Sequence, residues 1–310
     1  MLTIKTTPHL YGISLQGDYQ DLNALYDSLG RYLEFYQCNS PSFPYHEYEF
    51  LLSLNYDIRH AYMGTRDIAC FENNAAEVGV IADSIYQLPK SAQSDFRQTR
   101  KMFSQGNLYF SVNILYPLAF HYLFMLESIL DEYLLPNVHT DLPSFWTEYT
   151  LLQANADRAQ IRLLTSLLWN QVADLFGQSD AEELYSLYSE KEYNLPTPSL
   201  YVDALLHYQM AHFEKMPAAT RKAFHFSSLF EIMDLKGLPE EPDAAFENSS
   251  YHKSMQLLAG EGFSFPSKDA FFNALEKAIP EGQPLYENTF DQFLESQYGI
   301  IKDEERDFDW

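Results

Sequence analysis

Residues 108–126 read Leu-Tyr-Phe-Ser-Val-Asn-Ile-Leu-Tyr-Pro-Leu-Ala-Phe-His-Tyr-Leu-Phe-Met-Leu, and how they are parsed decides the fold. The run holds 19 residues without a formal charge, close to the length that crosses a bilayer as a helix. Its first half alternates, however. Leu108, Phe110, Val112 and Ile114 fall on one side, and Tyr109, Ser111 and Asn113 on the other. Alternation with period two is the pattern of a half-buried strand. Tyr116-Pro117 breaks it, and the helix that follows carries His121 and Glu127. A strand plus a core helix therefore explains the run better than a membrane span does.

Working outward, the N-terminus reads as a hairpin. Leu2 and Ile4 alternate with polar neighbours, Thr6-Thr7-Pro8-His9 makes the turn, and Tyr11, Ile13 and Leu15 alternate again. Asp18 is placed to cap a first helix, with Asp21 adding negative charge near its positive end. Leu22, Leu25, Tyr26, Leu29, Leu33 and Tyr36 recur at steps of three and four, which gives that helix one apolar face. A second helix is predicted over 46–63, closed by Gly64 in a left-handed conformation. Short strands are expected near Ile68–Phe71 and Val78–Ile81. A basic excursion over 88–107 carries Lys90, Arg97, Arg100 and Lys101. The order predicts an α+β module, a small antiparallel sheet with helices on one face, over residues 1–135.

Residues 136–144 read as a linker, and 145–299 as a mainly α-helical region. Trp146–Phe176 forms its longest helix, and Ser179 with Glu182 has the spacing of a capping box. Further helices fit Ser199–Met216, Ala218–Leu235, Tyr251–Ala259, Asp269–Ala278 and Glu287–Tyr298. Residues 300–310 form an acidic tail.

Acids outnumber bases by 44 to 20 over 310 residues, a net charge of −24. Such a field repels phosphate and anionic lipid, which disfavours non-specific nucleic-acid binding and membrane attachment. The imbalance is greater after residue 140, with 12 bases against 29 acids, than before it, with 8 against 15. That leaves a basic partner, or mimicry of DNA by the helical half, as a reading beside an ordinary solvated surface. Two cysteines, Cys38 and Cys70, support neither a disulfide framework nor a thiolate metal site and fit a cytoplasmic protein. Asp203 and His207 are four apart, but His212 lies about 140° further round the helix, so no metal set converges there. No cofactor or metal is expected.

The candidate site is Tyr56-Asp-Ile-Arg-His-Ala-Tyr-Met-Gly-Thr-Arg-Asp67. At about 100° per residue, Phe50, Leu51, Leu54, Ile58, Ala61 and Tyr62 share one face of the second helix. Leu52, Tyr56, Arg59, His60 and Met63 cluster opposite, with Asp57 at the border within reach of His60 and Arg66 just past the helix end. An ordinary surface helix places Lys, Glu and Gln where these large side chains stand. The far face is thus either covered internally, through an Asp–His–Arg network, or presented to a partner.

The motifs Gly17-Asp-Tyr-Gln-Asp-Leu22, Tyr56-Asp-Ile-Arg-His-Ala-Tyr-Met-Gly-Thr-Arg66 and Tyr109-Phe-Ser-Val-Asn-Ile-Leu-Tyr-Pro117 resemble those of an uncharacterised bacterial (Firmicute-type) family. The resemblance spans roughly residues 1–135 and implies no activity. The expectation is a non-enzymatic, cytoplasmic protein-binding module of an immunity-like or phage-defence-associated kind, with Leu52, Tyr56, Arg59, His60, Met63 and Arg66 meeting the partner. One alternative is a phosphoester hydrolase or nuclease using His60 as base with Arg59 and Arg66 as charge clamps. The other is an acidic DNA mimic. Oligomeric state is not legible.

Overall fold

The computed structural model describes residues 1–39, 45–72, 106–132, 151–189, 198–233, 250–279, 286–299 and 301. The strand expected at Val78–Ile81, most of the basic excursion, the linker and nearly all of the tail lie outside the described residues.

Four strands form one antiparallel sheet: β1 (Thr3–Thr6), β2 (Gly12–Gly17), β3 (Asp67–Glu72) and β4 (Gly106–Leu115), in the order β1-β2-β4-β3. Cross-strand partners share a face, so the pairs Ile4↔Leu15, Leu15↔Val112 and Ile13↔Ile114 align the apolar residues on one side. All five of these residues are buried. On the opposite side, Gln16 bonds Ser14 at 3.2 Å and Asn113 bonds Asp67 at 3.0 Å. On that side Lys5 is exposed and Ser14, Gln16 and Asn113 are half-buried.

The helices are α1 (Tyr19–Asn39), α2 (Tyr45–His60), α3 (Tyr116–Glu132), α4 (Leu151–Phe176), α5 (Gln178–Ser189), α6 (Ser199–His212), α7 (Ala218–Ile232), α8 (Ser250–Gly260), α9 (Lys268–Ala278) and α10 (Glu287–Tyr298). The fold class is α+β with a mainly helical remainder.

At the start of α1 the two aspartates act reciprocally. The Asp21 N–H donates to Asp18 Oδ1 at 2.9 Å, and the Asp18 N–H to Asp21 Oδ2 at 3.2 Å. Two of the donors left unpaired at a helix start are satisfied together. The capping box expected at Ser179 does not form. Helix α5 begins one residue earlier, and the Glu182 carboxylate accepts from Gln178 Nε2 at 2.8 Å instead.

Helix α3 explains the uncharged run. Phe120, His121, Tyr122, Leu123, Phe124, Met125 and Leu126 are all buried, so the helix is apolar around its circumference because it is covered on every side. It packs against β2, β4, α4, α6 and α7. Among the described residues no helix is long and apolar enough to cross a membrane.

One connected core runs from Leu2 to Leu294. An ion pair with a buried carboxylate links α1 to α4: the partly exposed Arg31 donates from two nitrogens to Asp157 at 2.7 and 2.8 Å, and Ser28 and Gln153 donate to the same carboxylate. Helices α6 and α7 also hold the β1–β2 turn. Gln209 Nε2 donates to the Tyr11 carbonyl at 2.6 Å and Arg221 donates to the His9 carbonyl at 2.8 Å.

Candidate functional site

Helix α2 turns one face inward as its periodicity requires. Leu51, Leu54, Ile58 and Ala61 are at most 2% exposed and join the common core. The opposite face is open to solvent. Leu52 is 44% exposed, Tyr56 54% and Met63 59%, and Arg59 is exposed between them. Their spacing of four, three and four lines them along the helix. Arg59 carries its guanidinium 5.8 Å from the centre of the Tyr56 ring, close enough for a cation–π contact. The rings of Tyr56 and His60 lie 4.2 Å apart. Tyr56 thus stands between a cation and an imidazole.

At His60 the α-helix passes into a π-helical turn over Ala61–Thr65. Gly64 closes it at φ 78°, the left-handed conformation that glycine adopts without steric cost. Thr65 Oγ1 donates to the His60 carbonyl at 2.9 Å and lies 2.9 Å from His60 Nδ1, so the ring proton on Nδ1 points to Thr65. His60 Nε2 is sealed from solvent and has no hydrogen-bond partner among the described residues.

The expected contact between Asp57 and His60 does not form. Asp57 Oδ1 instead takes the Arg66 guanidinium at 2.7 Å, because the chain reverses after Gly64 and brings Arg66 back alongside the helix. Of the six residues read as a partner surface, Leu52, Tyr56, Arg59, Met63 and Arg66 are exposed, and His60 is half-buried.

Two further residues extend this surface, and the alternation rule misplaces them. Leu108 and Ile68 stand on the core side of the sheet, Leu108 opposite Cys70 and Ile68 opposite Phe110. Yet Leu108 is 56% exposed and Ile68 52%. Among the described residues α1 and α3 pack on β2 and β4, and the π-helical turn is what meets β3. Ile68 lies beside the π-helical turn, its Cδ1 3.6 Å from the position a Cβ on Gly64 would take. The apolar stripe on α2 therefore passes through Met63 to the uncovered end of the sheet. Strand alternation identifies a face and says nothing about how far the helices reach across it.

Residues 2–231 match the family model described as a domain of unknown function (DUF6904). The chain belongs to this family. The DUF6904 match runs from β1 into α7, beyond the stretch of about 135 residues that carried the motif resemblance, and takes in the whole sheet, the α2 face and the buried α3. Helices α8, α9 and α10 lie past its end. No curated protein and no solved structure matches the chain.

Proposed function

We propose that this DUF6904 chain is a non-enzymatic, intracellular protein-binding module, and that the exposed face of α2 with the adjoining end of the sheet receives the partner. The observation that carries this reading is the placement of Leu52, Tyr56, Met63, Ile68 and Leu108, five large apolar side chains open to solvent on adjoining elements. Monomeric surfaces rarely gather such residues into one patch, whereas interfaces do. The composition fits as well, since Tyr, Met and Arg are enriched at interface centres. The Asp57–Arg66 ion pair at the rim leaves little net charge there.

That same ion pair weighs against phosphoester chemistry, in which Arg66 would clamp substrate oxygens, because the nearest anion already occupies it. His60 Nε2 is sealed, which also disfavours its use as a general base.

The test is site-specific photo-crosslinking in cells. A photoreactive residue at position 56 is expected to trap one discrete protein partner, and Arg59→Ala in the same chain to abolish that band. The same probe at Tyr286, exposed on a different part of the molecule, serves as the control. Equal labelling from both positions, or none from position 56, would overturn the reading.

A further inference from the structure

Past the end of the family match, α9, α10 and the turn at 262–267 close over α6 and leave a cleft of about 460 Å³. That volume lies in the range of small-molecule sites. Tyr208 and His212 from α6, Phe263 from the turn, Phe271 from α9, and Gln297 and Tyr298 from α10 form its walls. Among the described residues that line it none is Asp, Glu, Lys or Arg, in a chain where 21% of residues are charged.

Two phenol groups give the cleft its chemistry. Tyr208 is 4% exposed, yet its hydroxyl makes no hydrogen bond among the described residues. Nor is that oxygen among the sealed polar atoms, as His225 Nδ1 and Ser227 Oγ are, and Tyr208 lines the cleft. The Tyr298 hydroxyl likewise has no hydrogen-bond partner among the described residues, and the two rings meet edge to face at 5.9 Å. Each hydroxyl is therefore free to donate to an acceptor on a bound molecule.

We propose that this cleft binds an uncharged, planar aromatic or heteroaromatic small molecule carrying hydrogen-bond acceptors. The rings of Tyr208, His212, Phe263 and Tyr298 pack on one another, and Tyr208 stacks on Phe224, so together they give the cleft an aromatic wall suited to a planar ring. The two phenols supply O–H donors to a ring nitrogen or carbonyl oxygen. Burial pushes the Tyr208 and Tyr298 pKa values up to about 12, so both protons stay in place at neutral pH. Burial also pushes His212 below the ordinary imidazole value, which keeps a cation out of the wall. A charged ligand would lose its hydration without meeting a counter-ion among the described lining residues.

The experiment titrates the full chain with three neutral probes, 7-methoxycoumarin, lumichrome and adenine, by fluorescence and calorimetry. Benzoate and benzamidinium are the charged controls. Saturable one-to-one binding of at least one neutral probe is expected, at least tenfold tighter than either control. Tyr208→Phe and Tyr298→Phe each keep the ring and should weaken binding by about 2- to 12-fold, the span of one hydrogen bond. Ala270→Trp, at an exposed position on the cleft rim, should abolish binding with the melting temperature unchanged. Failure of all three neutral probes would overturn the proposal. So would binding that survives Ala270→Trp, or charged controls that bind as well.

Discussion

The imidazole Nε2 of His225, on α7, lies 2.6 Å from the carbonyl oxygen of Leu10 in the turn between β1 and β2. Leu10 stands at φ 60°, a left-handed conformation that costs a non-glycine residue about 1–2 kcal/mol. His9, Leu10 and Tyr11 present three successive carbonyls, and Arg221, His225 and Gln209 donate one hydrogen bond to each. Arg221 also covers the rings of Tyr11 and Phe213. The strained turn is therefore held from outside, by helices about 200 residues away in sequence.

His225 is fully buried among Tyr116, Phe120, Phe213 and Phe224, and its Nδ1 meets no partner among the described residues. Its pKa falls from 6.5 to about 3, chiefly through burial, with the Leu10 carbonyl pulling it up and Arg221 pushing it down. The unfolded chain binds the proton first as pH falls, so this contribution is complete above pH 6.5 and is lost progressively between pH 6.5 and about 3. Lowering the pH from 7 to 5 should cost about 2 kcal/mol through this one group. His225→Phe should lose about 1–3 kcal/mol at pH 7 from the orphaned carbonyl and show a shallower decline toward pH 5. Urea melts at both pH values measure the two effects, and identical slopes in both proteins would contradict this account.

Gly12 is irreplaceable for a different reason from Gly64. A Cβ at Gly12 would stand 1.9 Å from the Ile114 carbonyl oxygen, backbone that cannot rotate away. Gly12→Ala should therefore destabilise by about 3 kcal/mol, the upper end for overpacking, through disruption of the β2–β4 pairing. At Gly64 the nearest atom is an ordinary 3.6 Å away, so alanine there meets only the cost of φ 78°, about 1 kcal/mol. Thermal melts of the two variants should rank in that order.

Asp157 is 1% exposed and receives donors from Arg31, Ser28 and Gln153. Arg31→Ala removes two charged donors from this buried carboxylate and should cost about 3 kcal/mol, the low end for breaking a buried pair, because the Arg31 side chain is partly exposed. Replacing both partners by apolar residues, Arg31→Met with Asp157→Leu, should recover most of that loss, since neither charge then needs hydration. A double-mutant cycle by denaturant unfolding is the measurement, and simple additivity of the two single changes would refute strong coupling.

On the α2 face the expected pattern is the reverse. Tyr56→Ala and Arg59→Ala remove exposed groups and should change stability by less than about 0.5 kcal/mol. Each should cost the crosslinked partner 2 kcal/mol or more in affinity, roughly thirtyfold, as central interface residues do. If both variants unfold, the face belongs to the internal structure of the molecule.

Sequence periodicity was most informative where a residue's environment depends on its own helix or strand. The split of 108–126 at Tyr116-Pro117, the buried stripe of α2 and the stop at Gly64 all follow from local rules of period and backbone conformation. The same periodicity placed Leu108 inward, and it is exposed, because cover is supplied by other elements. Asp57 and His60 were within reach of each other on the helix, but Arg66 returns after the turn and takes the aspartate. No local pattern marked His225, Gln209 and Arg221 as the holders of a distant turn, since their role arises from the approach of α6 and α7 to β2.

By itself, then, the amino-acid order determined which segments are strands and helices and which side of each is apolar, because backbone sterics and side-chain period act within a few residues. Tertiary structure alone decided which apolar sides were left uncovered, which charges met, and where the rings of α6 and α10 enclose a space. Those outcomes depend on contacts between residues far apart in the chain, and short-range periodicity carries no information about them.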